Sequence, residues 1–472
     1  MNSKALIFIK NYISILTSNL VSFFTSILVI LIVPKVLGVV EYGYWQVYLL
    51  YASYVGFLHL GWNDGVYLKN GGKFYDDLNK TALSKQFILL SAFQVIVACL
   101  LSLFAVTYVT DEQRILIFIL ISICLIITNI RYFFLYVLQC TNKIKEYSQL
   151  IIIDKITYCL LIGFFLLIGM NNFKVLIIAD LCGRLISLLF AMYRCREIVL
   201  QQIKFQMADF IEVSDNIRIG IKLMFSNISS ILIVGTVRLG IEKSFDVVSF
   251  GKISLTLSIS NMFMLFINSI GLILFPILRR SPIDSMSQIF KTMRAVLVPA
   301  LFVLLIAYYP IKYFLIQWLP SYQESIFYLG ILFPILILEG QNALLTTPFF
   351  NTLRLERKLL KINLLVLLVS IILTIFTAIL LKSMVLSAVS IIILLTLRTV
   401  FSQLYLMTKF KLNLIKDIII ENLLIACFVL ISINFNNLIG FTIYLLLLII
   451  FLLTRAKAIK VSFKHMINLT KK

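Results

Sequence analysis

Charged residues are scarce in this chain of 472 residues, since Asp, Glu, Lys and Arg together make up 13% of it. That share is about half of what a soluble globular domain carries, which excludes an ordinary cytosolic enzyme. Intrinsic disorder is excluded as well, because 61% of the residues are hydrophobic. The composition is therefore that of a membrane protein.

Histidines are also few, and closely spaced pairs of cysteines are missing. His59 and His465 lie far apart in the sequence, and the seven cysteines fall in or beside apolar stretches with no CxxC pair. The chain therefore offers little material for a zinc site or for general-base catalysis by histidine. We predict no metal site and no cofactor, and we expect the cysteines to be small core residues.

Large polar domains are missing too, because the segments between the apolar runs are short. Membrane glycosyltransferases and repeat-unit polymerases usually carry their catalytic residues on a substantial outer loop. We therefore expect this membrane protein not to be an enzyme.

Long apolar runs fill the chain instead. At about 20 apolar residues per membrane-spanning helix, the composition suffices for about fourteen spans. Charged and polar breaks delimit candidate helices at residues 13–36, 44–68, 86–109, 115–140, 150–170, 175–193, 217–241, 247–278, 295–319, 326–350, 362–381, 384–408, 418–433 and 438–454. The sequence thus predicts an all-α integral membrane protein with about 14 transmembrane helices.

Positive charge is concentrated between these runs. The net charge of +21 at first suggests a nucleic-acid partner, but its location in the loops indicates a membrane protein, so no nucleic acid is expected. If the N-terminus is cytoplasmic, most Lys and Arg residues lie on the inner side, and the outer loops hold only Lys35, Arg114, Lys174, Arg238, Lys243, Lys312 and Lys382. This asymmetry predicts a multi-pass protein of the cytoplasmic (inner) membrane with both termini in the cytoplasm.

An internal repeat relates the two halves of the chain. Residues 10–49 align without gaps with residues 218–257, with identical residues at Ile13, Ser18, Asn19, Ser22, Val29, Lys35, Val39, Val40, Gly43 and Leu49. An even number of helices separates the copies, so the two repeats have the same orientation. We predict a six-helix lobe at 1–193, a cytoplasmic linker at 194–216, a second six-helix lobe at 217–408, and two extra helices with a basic cytoplasmic tail at 409–472.

Four stretches carry a family resemblance. They are VPKVLGVVEYGYWQVYLLYASYVGFLHLGWNDGVYLKNGGK at 33–73, SNISSILIVGTVRLGIEK in the seventh helix, LFPILRR closing the eighth, and WLPSYQES at the outer end of the ninth. In these stretches the chain resembles the polysaccharide-transporter family, the flippases of lipid-linked sugar repeat units. That family belongs to the multidrug, oligosaccharidyl-lipid and polysaccharide exporter superfamily.

The resemblance implies two six-helix lobes around a central cavity that opens alternately to each side. It implies a polyprenyl-pyrophosphate-linked oligosaccharide as substrate, whose tail stays among the membrane lipids while the glycan crosses. Such a flippase serves the assembly of O-antigen, capsule or exopolysaccharide, and its partners include a polysaccharide polymerase and chain-length machinery. Two parallel repeats without an extramembrane catalytic domain agree with a rocking transporter.

Three arginines lie at mid-membrane depth in the predicted helices. Arg131, Arg184 and Arg398 are each about ten residues from a cytoplasmic boundary at 1.5 Å of rise per residue. Such charges are costly in a bilayer and normally face a cavity or a partner, and a guanidinium binds a diphosphate with a bidentate fork. Asp180 precedes Arg184 by one turn and would neutralise it. Arg131 has no acid at that spacing on its own helix, which leaves either a partner from another helix or a water-filled cavity.

Two further cations lie nearer to the outer ends of helices. Arg238 forms an i, i+4 pair with Glu242, and Lys252 opens the eighth helix. They face the exit path if the first, second, seventh and eighth helices line the cavity, and are interfacial anchors otherwise. Asp154 and Glu421 lie near helix ends and are expected to reach the inner interface by snorkelling.

Two carboxylates are candidates for coupling transport to a proton or a sodium ion. Asp64, in the GWNDG stretch, lies at the inner end of the second helix, and Glu339 lies near the middle of the tenth. A lone carboxylate at that depth is either protonated or paired. For Asp64 the alternative is a structural cap on a turn that the neighbouring glycines permit.

Two other functions remain open. A cation-coupled multidrug exporter shares the architecture but would favour acidic and aromatic groups over arginines in its cavity. A membrane polysaccharide polymerase belongs to a different class, and the short outer loops argue against it.

Overall fold

The computed structural model describes residues 3–201, 204–280, 282, 285–435 and 437–470 of the chain. All regular structure within these residues is helical, which confirms the predicted all-α fold class. The chain divides into two compact units, Met1–Ile228 and Ser229–Lys472.

The first unit is built from helices whose ends carry their own capping residues. Asn79, Asp111 and Asn172 each accept a hydrogen bond from a backbone amide in the first turn of the helix that follows. The helices are α1 (Ser3–Leu31), α2 (Val33–Leu37), α3 (Val39–Ala52), α4 (Trp62–Asn70), α5 (Lys80–Tyr108), α6 (Glu112–Cys140), α7 (Ile144–Leu167), α8 (Phe173–Arg194), α9 (Arg196–Val199) and α10 (Met207–Ser244).

The second unit begins within α10, whose last part belongs to it. Its further helices are α11 (Val247–Arg280), α12 (Met286–Leu304), α13 (Tyr308–Trp318), α14 (Gln323–Leu332), α15 (Ile335–Gln341), α16 (Thr347–Thr352), α17 (Glu356–Thr374), α18 (Met384–Phe410), α19 (Ile415–Asn434) and α20 (Asn437–Thr470). Two π-helical stretches, Asn342–Thr346 and Ile375–Leu380, connect α15 to α16 and continue α17.

The described residues contain 12 helices that are long and apolar enough to cross a membrane. The count is 13 if the pair Pro320–Leu332 and Ile335–Thr352, bent by 41°, forms one span. These spans coincide with all but one of the predicted helices. The exposed faces of these helices are apolar. On α5, for example, Ile96, Leu100 and Leu103 are exposed along one stripe. Such a surface is stable only against lipid, so the chain is a multi-pass membrane protein.

The exception is the predicted helix at 44–68, which the structure breaks into α3, a 3-10 turn at Val55–Phe57, and α4. Leu60 and Gly61 adopt positive φ values of 54° and 84°, a conformation that ends a right-handed helix. The apolar run hides this break, because hydrophobicity does not report backbone conformation. The seventh predicted helix also differs, since α10 begins at Met207 rather than at 217.

Candidate functional site

Arg131 lies on α6 and is buried between two neighbouring helices of the first unit. Its guanidinium donates to Asp154 Oδ2 on α7 at 3.0 Å and to Ser187 Oγ on α8 at 2.9 Å. Ser187 in turn donates to the carbonyl oxygen of Leu150 at 2.8 Å. Sequence reasoning left a cavity or a partner from another helix open for Arg131, and the structure gives it a partner.

The Asp154 side chain therefore does not snorkel to the membrane interface. The residue is 4% exposed, and its carboxylate is held between Arg131 and, at 3.8 Å, Lys155. The expectation that Asp154 reaches the interface is wrong because α7 begins at Ile144, which places Asp154 several turns inside the helix. Gly183 on α8 permits this burial, since a Cβ there would lie 2.8 Å from the carbonyl oxygen of Asp154.

Arg184 forms the second buried pair of the first unit. Its Nε lies 2.9 Å from Asp180 Oδ2 on the same helix, as the i, i+4 spacing predicted. The Tyr48 hydroxyl donates to that same carboxylate oxygen at 2.7 Å. The guanidinium also donates to Thr128 Oγ1 on α6 at 3.0 Å. Arg184 of α8 thus reaches α6, while Arg131 of α6 reaches α8, and the two aspartates balance both charges.

In the second unit, two residues predicted for different roles contact each other. Arg398 on α18 donates to Glu339 Oε1 on α15 at 3.0 Å, and Glu339 Oε2 lies at 3.4 Å from the same nitrogen. The remaining guanidinium nitrogens donate to Asn363 Oδ1 on α17 at 3.2 Å and to Ser230 Oγ on α10 at 3.0 Å. The candidate ligand cation and the candidate coupling carboxylate are therefore one ion pair.

The two units place these pairs at related positions of the internal repeat. Arg131 and Glu339 occupy the same position when residues 10–49 are aligned with 218–257 and the alignment is extended without gaps. The sign of the charge is reversed between them, and in each unit the partner comes from another helix. Each unit thus has a buried ion pair at this position of the repeat. The residue at this position is the cation in the first unit and the carboxylate in the second unit.

A third buried network contains Arg294, which sequence reasoning missed. Its guanidinium lies 2.7 Å from Glu421 Oε2 on α19 and also donates to Gln403 on α18. Arg455 on α20 reaches the other oxygen of Glu421 at 3.3 Å and Asp417 at 3.0 Å. The expected snorkelling of Glu421 is thus wrong. Arg294 was assigned to the loop before a helix at 295, whereas α12 begins at Met286.

The two remaining predicted cations lie on α11 and α10. Lys252 on α11 contacts Glu324 on α14 at 2.8 Å, and the carboxylate of this pair is mostly exposed. Arg238 lies on α10 one turn before Glu242, which is buried.

Asp64 is buried at the start of α4, directly after the helix break. Its Oδ2 lies 3.6 Å from Nε2 of His59, a residue that sequence reasoning set aside because it has no histidine partner. His59 Nδ1 accepts a hydrogen bond from the Gly61 amide at 3.0 Å. The short sequence distance between Asp64 and His59 was the available signal, but only the break folds the two side chains together.

Ion pairs attach Glu197 on α9, and Asp209 and Glu212 in the first turns of α10, to α4 and α5. Lys85 contacts Asp209 at 3.0 Å and Lys69 contacts Glu212 at 2.6 Å. Lys80 donates to Glu197 and holds the pKa of that carboxyl below its usual value. No group of three or more potential metal ligands occurs among the described residues.

No protein-family model and no curated protein matches the chain. Its structure is similar to that of the lipid II flippase MurJ in an inward closed conformation, with a TM-score of 0.66 and 16% identity. This match covers 97% of the chain and 100% of the MurJ chain. At that identity the match shows the fold, which is the fold that the family resemblance implies.

Two further structures match the chain with lower scores. A MOP superfamily transporter from Pyrococcus furiosus matches with a TM-score of 0.48 and 14% identity, over 85% of this chain and 94% of its own. A MATE protein in complex with MaL6 matches with a TM-score of 0.48 and 13% identity, over 85% and 96%. Because both scores are below 0.5, the fold assignment depends on the first similarity.

Proposed function

We propose that this protein is a flippase that moves a polyprenyl-pyrophosphate-linked oligosaccharide across the cytoplasmic membrane by alternating access. The observation that carries the proposal is the fold shared over nearly the whole chain with a protein named as a lipid II flippase. The product would serve the assembly of a surface polysaccharide such as O-antigen, capsule or exopolysaccharide. Both termini would lie in the cytoplasm, and a polymerase and chain-length machinery would act on the exported unit.

The buried arginines supply the chemistry that such a substrate needs. A diphosphate that crosses an apolar barrier must be neutralised, and a guanidinium fork does this in two directed hydrogen bonds. In this chain the arginines already pair with carboxylates, so substrate binding would exchange a carboxylate for a phosphate. The exchange keeps the buried charge balanced, which avoids the cost of an isolated ion in the membrane.

Accessibility supports different proposed roles for the arginines. The side chains of Arg184 and Asp180 are 17% and 6% exposed and those of Arg398 and Glu339 are 8% and 27% exposed, so each pair has one accessible member. In the pair of Arg131 and Asp154 both side chains are enclosed, with exposures of 7% and 6%. Arg184 and Arg398 would therefore contact the diphosphate, and Arg131 would position α6, α7 and α8 around them. Lys252 and Arg238 would attract the anionic headgroup nearer to the membrane surface.

Transport against a gradient needs a driving ion, and Asp64 and Glu339 are the carboxylates that would bind a proton or a sodium ion. Glu339 would be released for this role when Arg398 engages substrate, because the two residues share one salt bridge. The proposal thus connects substrate arrival to cation binding at the same ion pair.

A deletion strain tests the proposed function. Loss of the gene should lead to accumulation of the undecaprenyl-linked oligosaccharide on the cytoplasmic side, and a plasmid copy should restore its export. Single repeat units that accumulate on the outer surface would instead indicate a polymerase. Unchanged lipid-linked intermediates together with increased sensitivity to cationic drugs would indicate a multidrug exporter and overturn the proposal.

A further inference from the structure

The break before α4 brings glycine backbones into direct contact with the first half of α10. A Cβ added to Gly65 would collide with the backbone of Asn216, and one added to Gly61 would lie 2.5 Å from the amide nitrogen of Ile221. Gly220 on α10 makes the reciprocal approach to Gly61 and to the Asp64 peptide. Only glycine allows two backbones to approach this closely.

Ion pairs continue the same contact along one stripe of α10. Asp209 and Glu212 are held by Lys85 of α5 and Lys69 of α4, and Asn216 and Gly220 follow at helical spacing. The first half of α10 is therefore attached to this part of the first unit by polar contacts and by backbone proximity. Because glycine provides no side chain that could bridge a gap, this backbone contact would be lost as a unit if α4 and α10 moved apart.

His59 and Asp64 lie at the same break, beside Gly61 and Gly65, and their side chains face each other in a geometry suited to one proton. The Gly61 amide donates to His59 Nδ1, so a neutral His59 carries its hydrogen on Nε2. That nitrogen is the one that faces Asp64 at 3.6 Å. Both side chains are buried, at 2% and 4% exposure.

We propose that His59 and Asp64 form a proton-binding site whose occupancy controls the packing of α4 against the first half of α10. Without a bound proton the pair carries one negative charge, and with one proton it is neutral as a whole. A buried net charge is costly, so the closed contact favours the protonated pair. When the contact opens, water stabilises the carboxylate and the proton leaves.

The direction of transport follows from the predicted orientation, and this step rests on the proposed function. Asp64 would lie at the inner end of the second span, so the opening of the contact releases the proton into the cytoplasm. A proton taken up while the site faces the outer side thus moves inward as the substrate moves outward. The coupling ion at this site would be a proton, since an imidazole and a carboxylate that face each other can share a proton, whereas an imidazole nitrogen binds sodium poorly.

Other groups around the pair do not titrate in the same range. On α6 the nearby titratable side chain is Tyr136, whose reference pKa is about 10. The α5 side chains that brace the break are the amides Gln86 and Gln94, and α10 contributes Asn216. The flanking carboxylates of Asp209 and Glu212 are each paired with a lysine, Lys85 and Lys69.

The separation of α4 and α10 in the full-length protein tests the proposal without any substrate. Spin labels would be attached at Leu68→Cys on α4 and Ile219→Cys on α10, both exposed positions, after replacement of the native cysteines. Double electron–electron resonance in vesicles would then report the distance between the two labels. We expect one short distance at pH 5 and a growing population of a longer distance toward pH 8. Asp64→Asn should hold the short distance at every pH. His59→Gln should move the midpoint down by about one pH unit, which corresponds to 1.36 kcal/mol.

A matched control is Asp77→Asn, which removes an exposed carboxylate just after α4 and should leave the pH response unchanged. A wild-type distance that does not depend on pH would overturn the proposal, as would an Asp64→Asn protein that responds like wild type. If Asp64→Asn does not fold, the pH response of the wild type and the shift in His59→Gln still test the proposal. A correct pH response in vesicles that translocate no lipid-linked oligosaccharide would refute the proposed function and leave the proton site intact.

Discussion

Buried arginines in this protein are neutralised mainly by residues that are distant in sequence. Arg184 and Asp180 form the pair that helical spacing predicts, but Arg131 and Arg398 find their carboxylates on other helices. Isolated charges in a membrane are costly enough that packing selects such partners. Residues that a sequence shows as lone charges are therefore poor candidates for ligand contact until the neighbouring helices are known.

The Arg131→Ala variant tests the structural role of the most enclosed pair. The substitution leaves Asp154 buried without its main partner, and we expect a loss of about 3–5 kcal/mol in stability. Thermal unfolding of the purified protein and its abundance in the membrane would both fall. A stable Arg131→Ala protein that has lost only glycan export would contradict the positioning role and support direct contact with substrate.

Replacement of both members of that pair is the control. Arg131→Met together with Asp154→Leu removes both charges and keeps most of the volume, so stability should return toward the wild-type value. If the double variant is as unstable as Arg131→Ala, then the loss comes from packing rather than from an unpaired charge.

Arg398→Ala should behave differently from Arg131→Ala. Glu339 is 27% exposed and can be hydrated after its partner is removed, so the expected stability loss is smaller, about 1–3 kcal/mol. Transport should nevertheless be lost, and Arg398→Lys should restore it only in part because an ammonium cannot form the fork. Export measured at matched protein level separates these effects, and wild-type export by Arg398→Ala would remove this residue from the substrate path.

At the scale of the helices, the close packing of α7 and α8 depends on one glycine. A side chain at Gly183 would collide with the backbone of Asp154, the residue that holds Arg131. Hydrophobic periodicity predicted both helices but not how closely they pack, because the absence of one Cβ changes the periodic pattern of apolar residues very little. The break before α4 was missed for a similar reason.

Gly183→Leu should therefore push α7 and α8 apart and destabilise the protein by about 1–3 kcal/mol. Gly163→Ala, on the same pair of helices, meets nothing within 4 Å and should be neutral or stabilising by about 0.5–1 kcal/mol. Thermal unfolding of the two variants beside wild type measures both effects. Equal stability of the two variants would show that the contact at Gly183 is not close in the membrane.

At the scale of the whole molecule, the orientation of the chain is a prediction from charge. Asn171, between α7 and α8, is exposed and predicted outside, whereas Asn142 and Lys145, near the start of α7, are exposed and predicted inside. Because Asn142 has a φ of 59°, which cysteine tolerates less well, Lys145→Cys is the better inner probe. An impermeant thiol reagent should label Asn171→Cys in intact cells and Lys145→Cys only after permeabilisation. The reverse pattern would invert the topology.

The sequence by itself determined that the protein spans a membrane many times, where most of its helices lie, and which superfamily fold to expect. The spans follow from composition and local periodicity, which each stretch of chain carries alone, and the expected superfamily fold is what the family resemblance of four stretches implies. Only the tertiary structure decided that Asp154 pairs with Arg131, that Glu339 pairs with Arg398, and that His59 meets Asp64. The partner of a buried charge depends on which helices face each other and how closely they approach, and neither is encoded in the hydrophobic pattern of a single helix.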